Sequence, residues 1–141
     1  MSATEPVVLK VETVIDAPVK KVWEYFTLPE HITQWCNASP DWHAPSAEND
    51  LRAGGKFSTR MEAKDGSFGF DFGGVYDAVE TYKTIEYTLG DQRKVKIKFL
   101  EEGSNTKLIE QFEAEETNPV GIQQAGWQAI LDNFKKYVEA T

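Results

Sequence analysis

Residues 119–140 constrain the fold most, because they predict one long helix with an unusually wide apolar face. Asn118 suits the N-cap, and Pro119 suits the first helical position, where a missing N–H breaks no hydrogen bond. At about 100° per residue, one half of this helix is apolar; it carries Ile122, Gly126, Trp127, Ile130, Leu131, Phe134, Tyr137 and Val138. An ordinary surface helix shows an apolar arc of roughly 100°. We therefore expect a curved surface to cradle this helix.

Gln123 interrupts the apolar face near its middle. A buried polar side chain needs a hydrogen-bond partner, which can be a protein group, a water molecule or a ligand. Alternatively, the Gln123 side chain reaches solvent from the first turn of the helix. The solvent-facing orientation is the simpler expectation, and the sequence leaves both open.

Upstream of this helix, the chain predicts one strand, two short helices and then about six strands. Residues 7–15 alternate apolar and polar side chains, as a half-buried strand does. Pro18 favours a helix start, and Pro29 divides the helical stretch in two, with the second helix over residues 30–35. Turn signals separate the later strands, which cover residues 44–48, 56–63, 68–80, 84–89, 94–100 and 106–114.

Paired glycines in the longest predicted strand indicate a curved sheet. Gly73-Gly74 suggests a bulge or bend, after which Val75 and Val79 take over the inner face. Short turns between consecutive strands favour an antiparallel meander. The fold class is therefore α+β, a curved antiparallel sheet of about six or seven strands wrapped around the long C-terminal helix. Asp71 is opposite in phase to three phenylalanines, Phe68, Phe70 and Phe72, so either one of these two sets faces solvent or the bulge intervenes.

Length and charge limit the classes of partner. The 141 residues suit one domain over residues 7–140, after a flexible N-terminus of residues 1–6. The formal net charge of −8 disfavours nucleic acids and anionic membrane surfaces, and no stretch has the ~20 apolar residues that a membrane span needs. A single cysteine, Cys36, and the lack of a signal-peptide pattern predict a cytoplasmic protein.

Four motifs in a fixed order resemble those of a known superfamily. They are Ile15-x-Ala17-Pro18-x-x-x-Val22-Trp23, Pro29-x-x-x-x-x-Trp35, Asp50-Leu51-Arg52-x-Gly54-Gly55-x-Phe57 and Gly126-Trp127. Together they resemble the START-like (SRPBCC) superfamily. The branch they resemble is the one named after the activator of the ninety-kilodalton heat-shock chaperone's ATPase, also labelled polyketide-cyclase-like. The resemblance implies a helix-grip fold, in which a cavity between the sheet and the last helix commonly takes apolar or amphipathic ligands. We expect no cofactor.

Several side chains are candidates for lining such a cavity, with packing in a filled core as the alternative. The candidate ligand-binding residues are Trp35, Trp42, His43, Phe57, Met61, Phe70, Tyr76, Tyr87, Phe99, Glu110, Phe112, Gln123, Trp127 and Ile130.

Glu110 is the most specific of these candidates. It shares a strand phase with Leu108 and Phe112, so an inward orientation of those two places a carboxyl group inside. A buried glutamate must be paired, hydrogen-bonded or protonated, and could then bind a ligand or act as a general base. If Ile109 points inward instead, Glu110 lies in water.

Asp41 and His43 form a second, weaker candidate for chemistry. In an extended segment both point the same way, which could form a carboxylate–imidazole pair with His43 as a base. The more ordinary interpretation is a turn-capping aspartate and a surface histidine. His31 and Cys36 lie nearby in sequence, but no ligand spacing supports a metal. Arg60 is a further polar residue that could reach the cavity.

These observations leave three functional hypotheses. The first is a non-enzymatic protein that binds an apolar or amphipathic small molecule. The second is an enzyme of the cyclase or hydrolase kind, with Glu110, or Asp41 with His43, as its catalytic groups. The third is a chaperone-interacting module with a role in the stress response, which rests on the name of the branch alone.

Overall fold

One antiparallel sheet dominates the computed structural model, which describes residues 7–141. The flexible segment predicted for residues 1–6 lies outside the described residues. The elements are β1 (Val8–Ile15), α1 (Val19–Thr27), α2 (Pro29–Trp35), β2 (Trp42–Asn49), β3 (Lys56–Ala63), β4 (Gly69–Glu80), β5 (Thr84–Leu89), β6 (Lys94–Glu102), β7 (Asn105–Glu113) and α3 (Val120–Ala140). The predicted α+β class and element order are therefore confirmed. Helix α3 begins one residue later than predicted, with Pro119 as its N-cap.

The spatial order of the strands is β1-β7-β6-β5-β4-β3-β2. Strands β2 to β7 are joined by short turns and lie side by side, as expected for a meander. Strand β1 pairs with β7 at the other end of the chain, because α1 and α2 carry the backbone across the concave side to β2. The sheet curls around this side, which holds all three helices.

The bulge in β4 lies after the paired glycines, not at them. The pairing of β4 with β5 shifts between Tyr76 and Ala78, which leaves Asp77 as the extra residue. The prediction that Val75 turns inward is wrong: Val75 is 38% exposed, whereas Tyr76 is buried. The glycines serve close packing instead, since a Cβ on Gly74 would collide with the Thr88 carbonyl of the adjacent strand.

Helix α3 covers the edge of the sheet as well as its concave face. Its most buried side chains, Leu131, Phe134 and Val138, face the sheet. Its polar side chains lie along β1, the edge strand, whose carbonyls would otherwise be free for pairing with another chain. The donors are Gln124 Nε2 to the Lys10 carbonyl (2.9 Å), Gln128 Nε2 to the Glu12 carbonyl (3.3 Å) and Lys135 Nζ to the Val14 carbonyl (2.7 Å).

An aromatic cluster fills the space between the sheet and the C-terminal half of α3. The ring of Phe134 lies 4.7 Å from that of Trp35 and 5.3 Å from that of Phe26. Phe99 on β6 completes the cluster against Phe26. Within residues 7–141, no helix combines the length and hydrophobicity needed to cross a membrane.

Candidate functional site

A cavity of about 470 Å³ lies between the concave face of the sheet and the N-terminal half of α3. Strands β3, β4, β5 and β7 supply its sheet side, and α2 with the following segment supplies one end. Its volume falls within the range of roughly 300–1,000 Å³ that is common for small-molecule sites. The cavity is located here because α3 presents Gly126 to it, and a Cβ on Gly126 would meet no atom within 4 Å.

Most of the predicted lining residues do face this cavity. Those residues are Trp35, Trp42, Phe57, Met61, Phe70, Tyr76, Tyr87, Glu110, Gln123, Trp127 and Ile130. The wall is therefore largely aromatic, with few polar groups.

Three predicted residues lie elsewhere. Phe112 is 1% exposed and stacks on Trp127 with ring centroids 4.0 Å apart, so it supports the wall from behind. Phe99 packs in the aromatic cluster of α1 and α3. His43 points away from the cavity, because it neighbours Trp42 on β2 and successive side chains of a strand alternate between faces.

Sequence reasoning also missed lining residues, some of which carry a recognisable signal. Thr59 shares a strand phase with Met61, and Phe72 shares one with Phe70, so strand alternation alone would have found both. Three more lie on helices, and for two of them the helical period already indicates the apolar face of α3: Ile32, Ile122 and Gly126. The others come from segments between elements or from a helix end, where phase gives no guidance: Phe26, Cys36, Ala38, Ser39, Arg93 and Glu115.

Glu110 is a buried carboxyl group that faces the cavity. It is 7% exposed and lies between Leu108 and Phe112, so its predicted inward orientation is confirmed. Burial alone raises the pKa of Glu110 from 4.5 to about 8. Within residues 7–141, no group donates a hydrogen bond to this carboxyl, and no fully buried side-chain oxygen lacks a partner. The carboxyl oxygens must therefore contact the open space of the cavity.

The groups around Glu110 are neutral at pH 7. Burial, and then the proximity of Glu110, raises the pKa of the Cys36 thiol to about 12 and the pKa of the Tyr87 hydroxyl well above its usual value. Burial also raises the pKa of Tyr76, although its hydroxyl donates to Asn49 Oδ1 at 2.6 Å. Because the pKa of Glu110 is about 8, this part of the cavity carries no charge at neutral pH.

Charged groups lie at the periphery of the cavity. Arg93 lines it from the turn before β6, and Arg93 Nε lies 2.6 Å from Asp91 Oδ2 in an ion pair. Glu115 lines it from the segment before α3. The exposed side chains of Ile122 and Phe70 mark the point where the cavity meets solvent.

Gln123 has protein partners, so the solvent-facing expectation is wrong. Its side chain is 9% exposed. Gln123 Oε1 accepts a hydrogen bond from the Glu115 N–H at 2.8 Å, and Nε2 donates to the carbonyls of Glu115 (3.0 Å) and Asn118 (2.7 Å). Its amide therefore fixes the segment before α3 against the first turn of the helix, and only its flank faces the cavity.

The predicted pair of Asp41 and His43 does not form. His43 Nε2 lies 3.7 Å from Glu62 Oε1 on the convex face of the sheet, while Asp41 contributes its backbone carbonyl to Lys64.

Arg60 also lies on the convex face, where its guanidinium contacts Glu62 and Asp71. The expectation that Arg60 reaches the cavity is therefore wrong. Asp71 faces solvent, and the phenylalanines of β4 take the concave face. Across residues 7–141, no three His, Cys, Asp or Glu side chains cluster in a way that could hold a metal ion.

A curled seven-stranded sheet, closed by a long helix over a mostly apolar cavity, defines the helix-grip class of the START-like superfamily. The chain belongs to the family described as activator of Hsp90 ATPase homolog 1-like protein (AHSA1), whose model matches residues 16–139. No match was found among curated proteins.

Solved structures show the same arrangement. The solution NMR structure of the AHSA1-like protein from Aeromonas hydrophila is 42% identical, with a TM-score of 0.89 over 95% of this chain and 93% of that chain. A solution structure from Cytophaga hutchinsonii is 57% identical, with a TM-score of 0.81 over 93% of this chain and 91% of that chain. A crystal structure from Chromobacterium violaceum, 22% identical over 95% of this chain and 99% of that chain, shares the fold with a TM-score of 0.85.

Proposed function

We propose that the protein binds a small, mostly apolar molecule in the cavity between the sheet and α3. The observation that carries this proposal is the unpartnered carboxyl group of Glu110, which faces a largely aromatic cavity of about 470 Å³. A buried polar group without a partner costs free energy. A ligand that fills the cavity and hydrogen-bonds Glu110 would remove that cost.

The aromatic wall favours a ligand with a large apolar surface. Burial of apolar area contributes about 25 cal/mol per Å², and aromatic rings add specific edge and stacking contacts. Trp35, Trp42 and Trp127 all line the cavity, so their fluorescence should report occupancy directly.

A cavity-filling variant tests the proposal. Gly126→Leu places a side chain in the cavity, whereas Gly121→Leu places the same side chain on the same helix outside it; a Cβ meets open space at both positions. We expect native mass spectrometry of protein purified from cells to reveal a bound molecule. Titration with fatty acids and aromatic compounds should quench tryptophan fluorescence in the native protein and in Gly121→Leu. The affinity measured in this way should be at least about tenfold weaker in Gly126→Leu. Equal binding by both variants, or no binding by the native protein, would refute the proposal.

A chaperone partner is the second candidate, and one surface feature favours it. Three large apolar side chains are exposed to solvent: Phe68 (63%), Val120 (42%) and Ile122 (64%). The family description also names an activator of the Hsp90 ATPase. Purified chaperone should then show faster ATP hydrolysis with the native protein than with a Phe68→Ser, Ile122→Ser variant. An unchanged rate with the native protein would dismiss this candidate.

A further inference from the structure

The geometry around Glu110 indicates what kind of molecule the cavity accepts, if the proposed function is right. We propose that the cavity selects apolar ligands that carry a neutral hydrogen-bond acceptor, such as a ketone or aldehyde carbonyl, and rejects carboxylates. The acceptor would bind the Glu110 carboxyl, which is more than nine-tenths buried, has no partner within residues 7–141 and faces the open space.

The surroundings of Glu110 keep its carboxyl protonated at neutral pH, so that it can donate a hydrogen bond. The titratable groups that face it are Tyr87 on β5, Cys36 after α2 and, further away, Tyr76 on β4 and Arg93 before β6. From α3 the cavity receives no side chain that titrates near neutral pH. Burial is the sole cause of the raised pKa of Glu110. A protonated carboxyl has one O–H to donate, and a ligand carbonyl is its natural acceptor.

A ligand carboxylate would meet the same conditions that keep Glu110 protonated. Its charge would lose water on entry, and within residues 7–141 no cation offsets the burial of a charge at Glu110. The nearest candidate, Arg93, is paired with Asp91; it favours a lower pKa at Tyr87 but makes no contribution to the pKa of Glu110. A ligand with a protonated amine would bind more tightly only after Glu110 ionises, because the two charges can then form a buried ion pair.

Proton linkage gives the selection a distinct pH dependence. Ketone binding requires the protonated form of Glu110, so its affinity should be constant below pH 8 and fall above it. The limiting fall is about tenfold per pH unit. Glu110→Gln keeps an N–H donor of similar shape but cannot ionise, and should therefore bind the ketone with no pH dependence.

Three naphthalenes with the same apolar body test the selection: 2-acetylnaphthalene, 2-naphthoate and 2-ethylnaphthalene. Tryptophan fluorescence would follow each titration at about pH 6.5 and about pH 9.5, on either side of the pKa. At the lower pH, we expect the ketone to bind about fivefold to tenfold more tightly than the ethyl compound, as one hydrogen bond predicts. The carboxylate should bind at least about tenfold more weakly than the ketone. Glu101→Gln, an exposed substitution on β6, serves as the control and should match the native protein throughout.

The outcomes separate this inference from the proposed function. If 2-naphthoate binds as tightly as the ketone, or Glu110→Gln retains the native pH dependence, the selection is refuted while the cavity remains a binding site. If none of the three compounds binds the native protein and no molecule copurifies with it, the proposed function fails and the selection fails with it.

Discussion

At the scale of single residues, Glu110 accounts for most of the chemistry that the cavity offers. Its neighbours along β7, Leu108 and Phe112, are 0% and 1% exposed, so the strand holds it in the core at a position suited to an apolar side chain. An apolar residue there would be more stable, because a carboxyl must be neutralised before it can be buried. The buried carboxyl of Glu110 therefore costs the fold stability, and in the proposed function it is the group that contacts the ligand.

This cost predicts how stability changes with pH. The folded pKa of Glu110 is raised from 4.5 to about 8, so between these values the folded state holds a proton that the unfolded state has lost. Raising the pH through this window therefore favours unfolding, by at most about 1.4 kcal/mol per pH unit from this group. Urea unfolding of Glu110→Gln should show a higher stability than the native protein at pH 8, and a smaller decline between pH 5 and pH 8. Glu101→Gln should follow the native curve. Parallel curves for the native protein and Glu110→Gln would contradict the burial of an ionisable carboxyl.

At the scale of elements, helix α3 makes two different sets of contacts with its two faces. One face packs into the sheet and lines the cavity, and the other hydrogen-bonds the free carbonyls of β1. The sequence predicted the first face from its apolar periodicity. It could not predict the second, because a glutamine that caps a strand edge and a glutamine in solvent look identical in one sequence.

The edge contacts predict a measurable contribution to stability. Gln124→Ala combined with Gln128→Ala removes two donors from the β1 edge, at the carbonyls of Lys10 and Glu12. We expect the free energy of unfolding to fall by about 1–2 kcal/mol, since each net hydrogen bond contributes roughly 0.5–1.5 kcal/mol. Lys136→Ala, at an exposed position of the same helix, is the control and should change stability little. A double variant as stable as this control would show that water replaces the two donors at no cost.

Phase explains which parts of the site could be predicted. On strands, period-two alternation placed Met61, Tyr87 and Glu110 in the cavity, because one inward residue fixes its neighbours two positions away. The glycine pair was expected to break that rule within β4, whereas the extra residue is Asp77. Val75 lies before this bulge and keeps its outward phase, so the prediction assigned it to the wrong face. Phe99 and Phe112 show a different limit: both face inward, yet only three-dimensional packing decides whether an inward side chain meets a cavity or another ring.

At the scale of the whole molecule, the space between the helix and the sheet is filled at one end and open at the other. Phe134, in the C-terminal half of α3, is 0% exposed and contacts the rings of Trp35 and Phe26. Ile130, one turn earlier, lines the cavity. The filled end therefore contributes more of the packing that stabilises the fold, and the open end is where the proposed ligand would bind.

Truncation at the two ends should separate stability from binding. Phe134→Ala removes a fully packed ring, and such substitutions cost about 3–5 kcal/mol. Ile130→Ala should cost about 1–2 kcal/mol, because part of its side chain already faces open space and loses fewer contacts. Urea unfolding measures both costs. Fluorescence titration with 2-acetylnaphthalene, without denaturant and at about pH 6.5, below the raised pKa of Glu110, measures binding.

We expect Ile130→Ala to alter the affinity for 2-acetylnaphthalene at small cost in stability. Phe134→Ala should lower the stability, while the folded fraction retains near-native affinity. Equal costs at the two positions would mean that the cavity end is packed as densely as the aromatic cluster, and the division of the molecule into a structural end and a binding end would be wrong.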